Sequence, residues 1–101
     1  MTLLEAVAQP QRQRILRTVW KRELCAGDIA RQFDITFGAV SQHLAVLATA
    51  GAVTVRKAGR QRFYRADQAA LGPLSDYLNA MWTQRLRKLA ALAEAEERKH
   101  A

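Results

Sequence analysis

The chain has 101 residues, which is the size of one small domain, and half of them are hydrophobic. Lysine and arginine number 16 against nine acidic residues, so the formal net charge is +7. This surplus favours a polyanionic partner, with nucleic acid as the first candidate and a membrane surface as the second. The single cysteine excludes an intramolecular disulfide, and no apolar run is long enough to insert into a membrane. Because the first residues also lack the pattern of a signal peptide, we expect a cytoplasmic protein.

Two short helices are predicted at the start of the chain. Thr2 and Glu5 have the spacing of a capping box, and Pro10 suits the first turn of a second helix that we expect to reach about Trp20. The apolar face of the first helix consists of Leu3, Leu4 and Val7. The polar face of the second carries the cations Arg12, Arg14, Arg17 and Lys21. Those cations are either solvated or in contact with phosphate.

A helix-turn-helix pattern follows, over about residues 24–50. The first helix is expected within Leu24–Phe33 and the second from Thr36, a suitable N-cap, to about Thr49. Gly51 favours the left-handed conformation that ends a helix. The inward side of the second helix carries Val40, Leu44 and Leu47. Its outer side then presents polar positions to a partner.

A basic β-hairpin is predicted over residues 53–65, with its two strands joined through residues 57–60. Its cations are Arg56, Lys57, Arg60, Arg62 and Arg65, and the segment contains no acidic residue. Two helices followed by such a hairpin predict a winged helix-turn-helix, a mainly α fold with a small β-hairpin. In that fold the second helix enters the major groove of DNA, and the wing contacts phosphates or the minor groove.

The last predicted element is a long amphipathic helix over residues 73–98. Asp67 can cap a helical turn before it, and the dipeptide Gly72-Pro73 marks a break. Apolar residues recur along the helix at spacings of three to five and include Leu74, Leu78, Met81, Trp82, Leu86 and Leu89. This stripe is longer than a small winged domain can cover by itself. It therefore predicts an interface with a second copy of the chain, or alternatively a surface that captures a regulatory protein partner.

Three segments carry a family resemblance. They are Leu24-Cys25-Ala26-Gly27-Asp28-Ile29-Ala30, then Val40-Ser41-Gln42-His43-Leu44 with Leu47 and Ala50-Gly51, and Gly59-Arg60-Gln61-Arg62-Phe63-Tyr64. Together they resemble the ArsR/SmtB family of winged-helix bacterial repressors, over almost the whole chain. The resemblance implies a homodimer that pairs through its first and last helices and reads an inverted repeat in double-stranded DNA. The predicted dimer interface comprises Leu3, Leu4, Val7, Leu74, Leu78, Met81, Trp82, Leu86 and Leu89.

The resemblance also assigns base-contacting positions on the second helix. These match Thr36, Phe37, Gly38, Ser41 and Gln42, and the predicted DNA-binding set is completed by His43, Arg56, Lys57, Arg60 and Arg62. Gln42 is suited to adenine. Phe37 either touches a thymine methyl group or folds back as a hydrophobic staple. His43 either reads a base or fixes the helix through a local hydrogen bond.

Other functions receive less support from the residues. One kind of metal site in the family needs a second cysteine near Cys25, and the chain has only one cysteine. The other kind needs histidines on the last helix, and residues 73–99 contain no histidine. We therefore predict no metal and no cofactor. The place of Cys25 near a helix start leaves a thiol-based redox switch as an alternative. No nucleophile, base and orienting group come together, so we expect no enzyme. The prediction is a single domain over residues 1–101 that acts as a homodimeric repressor.

Overall fold

The computed structural model describes the backbone of residues 1–100 and the side chains of residues 1–97. Its helices are α1 (Leu3–Ala8), α2 (Pro10–Thr18), α3 (Ala26–Ala30), α4 (Phe37–Ala50), α5 (Gln68–Leu71) and α6 (Pro73–His100). Its strands are β1 (Leu24–Cys25), β2 (Val53–Ala58) and β3 (Gln61–Ala66). The chain divides into two compact units, of which the first is Met1–Leu71 and the second begins at Gly72. The single-domain prediction stays a prediction.

The helix starts follow from capping side chains. The Thr2 hydroxyl accepts a hydrogen bond from the Glu5 amide at 3.1 Å, as predicted for the first helix. Pro10 occupies the first turn of α2, where its missing N–H costs nothing. This helix ends at Thr18 and not at the predicted Trp20, because Val19 leaves the helical conformation.

Arg12 belongs to the packed part of the first unit. Its Nε donates a hydrogen bond of 2.6 Å to the carbonyl oxygen of Ala6, which joins α2 to the end of α1. The prediction that Arg12 lies on a face that is either solvated or bound to phosphate is therefore corrected. A carbonyl left without a partner at the end of α1 provides the acceptor.

The sheet has three strands in the order β1-β3-β2, all antiparallel. The prediction placed Leu24 and Cys25 at the start of the first helix of the helix-turn-helix, and this is wrong. They pair instead with Tyr64 and Phe63 of β3. The outer edge of β3 would otherwise expose unpaired backbone groups, so a third strand satisfies them. α3 consequently begins only at Ala26.

One hydrophobic core holds the first unit together. It contains Ala6, Val7, Ile15, Leu16, Val19, Trp20, Ile29, Val40, Leu44, Leu47, Ala52, Val53, Ala66 and Leu71. The predicted inward side of α4 is confirmed, since Val40, Leu44 and Leu47 are fully buried. Burial of each such side chain contributes about 1.5–3 kcal/mol relative to exposure. The backbone N–H of Ala66 also donates to the carbonyl of Val19 at 2.9 Å, which links the sheet to the end of α2.

The second unit consists of α6. Leu78 and Trp82 are buried, whereas Tyr77, Leu86, Leu89 and Leu92 are 66%, 55%, 63% and 67% exposed. None of the helices that the structure describes is long and apolar enough to cross a membrane.

Gly51, directly after α4, tests how much the left-handed backbone conformation at this position matters for stability. Gly51 has φ +86°, and an added Cβ would meet nothing within 4 Å, so Gly51→Ala introduces strain without a clash. We expect this variant to lose about 1–2 kcal/mol of unfolding free energy in urea titrations. The control is Gly27→Ala in α3, where an added Cβ also meets open space. Alanine is the better helix former there, so stability should stay equal or rise by up to about 1 kcal/mol. Equal losses in both variants would contradict the prediction.

Candidate nucleic-acid interface

The outer face of α4 is open to a partner. Thr36 caps the helix by accepting a hydrogen bond from the Ala39 amide at 3.1 Å. The exposed residues of its first half are Phe37, Gly38, Ser41 and Gln42. Because the opposite side of the helix is fixed in the core, these positions point away from the protein. The structure therefore brings together the base-contacting positions predicted on the first turns of α4.

Phe37 is 58% exposed, so most of its ring is not packed against the protein. This exposure favours the interpretation in which Phe37 meets an apolar group of a ligand, such as a thymine methyl, over a hydrophobic staple. Gly38 presents no side chain. Hydrogen bonds from this face to base edges consequently depend on Ser41 and Gln42.

His43 differs from Ser41 and Gln42 on α4, since it is half-buried. Burial lowers its pKa, and the positive charge of Arg12 lowers it further. Arg12 belongs to α2 and is bonded to the end of α1, so His43 lies towards the body of the protein. This position favours a role in fixing the helix over a role as a base reader.

The tip of the wing is a two-residue turn. Ala58 pairs with Gln61, which leaves Gly59 and Arg60 as the loop. Gly59 has φ +62°, and a positive φ at the first loop residue only is the pattern of a type II′ hairpin turn. The turn is shorter than predicted, because Lys57 and Ala58 belong to β2. It places the exposed Arg60 at the end of the hairpin.

Two cations face each other across the hairpin. Lys57 lies directly opposite Arg62, and both are exposed. Directly opposed residues of an antiparallel pair project from the same face with their Cβ atoms about 4.5–5.5 Å apart, and like charges there destabilise the pairing. An anion bound between them would offset this repulsion. The pair is therefore suited to a phosphate group.

Arg56 has a partner within the protein. Its Nε donates to the two carboxylate oxygens of Glu23 at 3.0 and 3.2 Å, and its guanidinium lies 4.8 Å from the centroid of the Phe63 ring. The bond from Arg56 lowers the pKa of Glu23, so this carboxylate stays charged. Glu23 stands 33 residues away in the sequence, and no sequence pattern singled it out. It supplies the negative charge that the hairpin itself lacks.

A further basic surface lies beside the helix-turn-helix. A cleft of about 390 Å³ is lined by Arg14, Arg17, Thr18, Arg22, Gln32 and Phe33. The guanidinium of Arg14 lies 5.0 Å from the centroid of the Phe33 ring. Arg17 belongs to the last turn of α2, where the helix dipole favours a cation. These charges add to the positive field near the turn that precedes α4.

Cys25 is the N-cap of α3 and is half-buried. It lies opposite Phe63 in the sheet. Among the side chains of residues 1–97, no three histidine, cysteine or acidic residues come together in a group that could hold a metal ion.

Comparison with known proteins decides the family. Residues 9–55 match the family described as bacterial regulatory protein, arsR family. An HTH-type transcriptional regulator of Mycobacterium tuberculosis is 37% identical over 92 residues, which are 91% of this chain and 86% of the relative. The chain belongs to the arsR family. As a member of this family it is a DNA-binding transcriptional regulator.

Two solved structures of transcriptional regulators share the fold. The crystal structure of a possible transcriptional regulator for arsenical resistance has a TM-score of 0.69 and 37% identity, covering 90% of this chain and 95% of that one. The repressor BigR of Xylella fastidiosa has a TM-score of 0.68 and 30% identity, covering 80% of both chains. The predicted winged helix-turn-helix and the predicted family are thus confirmed.

The environment of His43 predicts a pH dependence of the stability of this arsR-family protein. Because the pKa of His43 is lowered in the folded state, the folded protein binds this proton less readily than the unfolded chain does. The stabilisation is complete above the unfolded value of about 6.5 and is lost as the pH falls through the folded pKa. We expect the protein to lose more unfolding free energy between pH 7.5 and pH 5 than His43→Gln does, as measured by urea titration. Parallel curves for the two proteins would contradict this.

Proposed function

We propose that the protein is a homodimeric repressor that binds an inverted-repeat operator and blocks access to a promoter. The observation that carries the proposal is the combination of the exposed polar face of α4 with a wing that carries two exposed cations directly opposite each other. Two-fold symmetry of the dimer would be matched by two half-sites on the DNA. BigR, which is 30% identical, is named a repressor, and the proposal takes the same sign of regulation for this protein.

In this proposal the two contact surfaces have different tasks. Ser41 and Gln42 form hydrogen bonds to base edges in the major groove, and Gln42 pairs with an adenine. Lys57, Arg60 and Arg62 bind phosphates, which supplies affinity for any DNA sequence. The protein acts in the bacterial cytoplasm, where the chromosome lies. It performs no catalysis and binds no cofactor.

The division of tasks predicts opposite effects for Arg62→Ala and Gln42→Ala. Arg62→Ala should weaken binding to operator and unrelated DNA by similar factors and reduce the log-log salt slope by about 0.9. It should leave the thermal midpoint unchanged or raise it, because a repulsive pair is removed. Gln42→Ala should instead keep the slope and lose about 1–3 kcal/mol of preference at one base pair.

Fluorescence anisotropy over a salt series measures both quantities. Lys88→Ala, which removes an exposed cation of α6, is the matched control for lost charge. An unchanged slope for Arg62→Ala would remove that residue from the interface. An equal loss on operator and unrelated DNA for Gln42→Ala would remove its role in base readout.

The dimer would be formed by the apolar residues that the single chain leaves exposed. The exposed members of the predicted interface are Leu4, Leu86 and Leu89, and Tyr77 and Leu92 join them. Val7, Leu78 and Trp82 are already buried within the chain, so little of their surface is left for a partner. Leu3, Leu74 and Met81 are half-buried. Exposed leucines at these spacings on α6 suit a helix pair between two copies.

Leu89→Glu should therefore convert the dimer into a monomer, because a carboxylate would be buried in an apolar contact. Sedimentation equilibrium measures the mass, and operator affinity should fall because the two half-sites are no longer bound together. Gln84→Glu is the control: it adds the same charge to α6 at an exposed position, and the helical repeat turns it to the side opposite Leu86 and Leu89. A Leu89→Glu variant that stays dimeric would exclude this interface.

A further inference from the structure

One ion pair crosses the whole sheet of the wing. Arg56 is on β2 and lies directly opposite Phe63 on β3, the central strand. Glu23 immediately precedes β1, which borders the other side of β3. To reach Glu23, the guanidinium of Arg56 passes over the Phe63 ring at 4.8 Å. We call this arrangement of Glu23, Phe63 and Arg56 the wing strap.

The wing strap has more contacts than an ordinary surface ion pair. Both the Nε and a terminal nitrogen of Arg56 donate to the Glu23 carboxylate, and such a fork fixes direction as well as distance. The aromatic ring supports one side of the guanidinium through a cation–π contact. The side chains are 57% exposed for Arg56 and 35% for Glu23, so water still reaches the pair and the net stabilisation is modest. Its main effect is on geometry and on the available charge.

The cations of the wing lie on two different faces of the hairpin. Alternation along the strands places Arg56, Phe63 and Arg65 on one face, and Lys57 and Arg62 on the other. In the free protein Arg56 is paired with Glu23, whereas Lys57 and Arg62 are exposed directly opposite each other. Phosphate contacts add affinity without regard to sequence, so a further free cation would strengthen binding to all DNA. Glu23 keeps Arg56 out of that set.

We propose that Glu23 is a specificity-determining residue that acts through Arg56: it holds the wing in one orientation and withholds one cation from DNA phosphates. This inference rests on the proposed function, because it concerns discrimination between operator and other DNA. Glu23 is a positioning residue and touches no base. Its effect is to lower binding to unrelated DNA more than binding to the operator.

The test is Glu23→Gln, which keeps the size of the side chain and removes its charge. Arg56 is then free to reach a phosphate. We expect affinity for unrelated DNA to rise about three- to tenfold and the log-log salt slope to steepen by about 0.9. Operator affinity should rise less, because operator binding also needs the wing orientation that Glu23 fixes, and its loss offsets part of the gain. The ratio of operator to unrelated affinity should therefore fall. A variant that was merely less well folded would lose affinity for both DNAs, which makes the gain a specific readout.

Arg56→Ala supplies the second, independent arm. If Glu23 withholds Arg56 from DNA, Arg56→Ala alone should leave the salt slope unchanged, and Arg56→Ala in the Glu23→Gln background should return the slope to its original value. A slope that falls by about 0.9 in Arg56→Ala alone would show that Arg56 is an ordinary phosphate ligand and would overturn the inference. Arg60→Ala, at the tip of the wing, is the matched arginine control and should reduce the slope.

Failure of this inference can be told apart from failure of the proposed function. The unmodified protein is measured first on operator and unrelated DNA at the same salt concentration. A ratio near one would overturn both proposals. A clear operator preference that Glu23→Gln leaves intact, together with an unchanged slope, would overturn only the role of Glu23. Hydrogen exchange at the β1–β3 amides should be faster in Glu23→Gln, and unchanged exchange would count against the orienting role of the strap.

Discussion

The buried side of α4 is the constraint on which the interface depends. Val40, Leu44 and Leu47 are fixed in the core, and the helical repeat then turns Phe37, Ser41 and Gln42 outward. The cap at Thr36 and the left-handed residue Gly51 determine where this helix begins and ends. A reading surface formed in this way is rigid because its opposite side is packed. Ser41 and Gln42 are exposed to solvent, so their polar groups need no hydrogen-bond partner within the protein.

The wing is controlled by charge. Lys57 and Arg62 repel each other across one face, whereas Arg56 is held by Glu23 and Phe63 on the other. The same hairpin thus combines cations that need an anion with one that already has it. In our proposal Lys57 and Arg62 supply affinity for any DNA, whereas Glu23 limits that affinity by holding Arg56. Glu23 therefore has a role although it touches no nucleic acid.

Local patterns predicted the helical part of the fold well. The caps at Thr2 and Thr36, the glycine after α4 and the apolar repeat of α4 depend on contacts within a few residues, and each was found as expected. The hairpin and its cations were predicted for the same reason. By contrast, Leu24 and Cys25 were assigned to a helix although they form β1. Their conformation is decided by the free edge of β3, about 40 residues later in the chain.

Residue type and short-range spacing are sufficient for the family resemblance, the order of the helices and the surplus of positive charge. Which of these charges remain available to a partner follows instead from contacts in the folded protein. In the folded protein Arg12 is hydrogen-bonded to the end of α1, His43 is partly buried near Arg12, and Glu23 is paired with Arg56. Such pairings join residues that are distant along the chain, so no local pattern records them. The physical reason is that a long charged side chain is directed by whichever partner the folded backbone brings within reach.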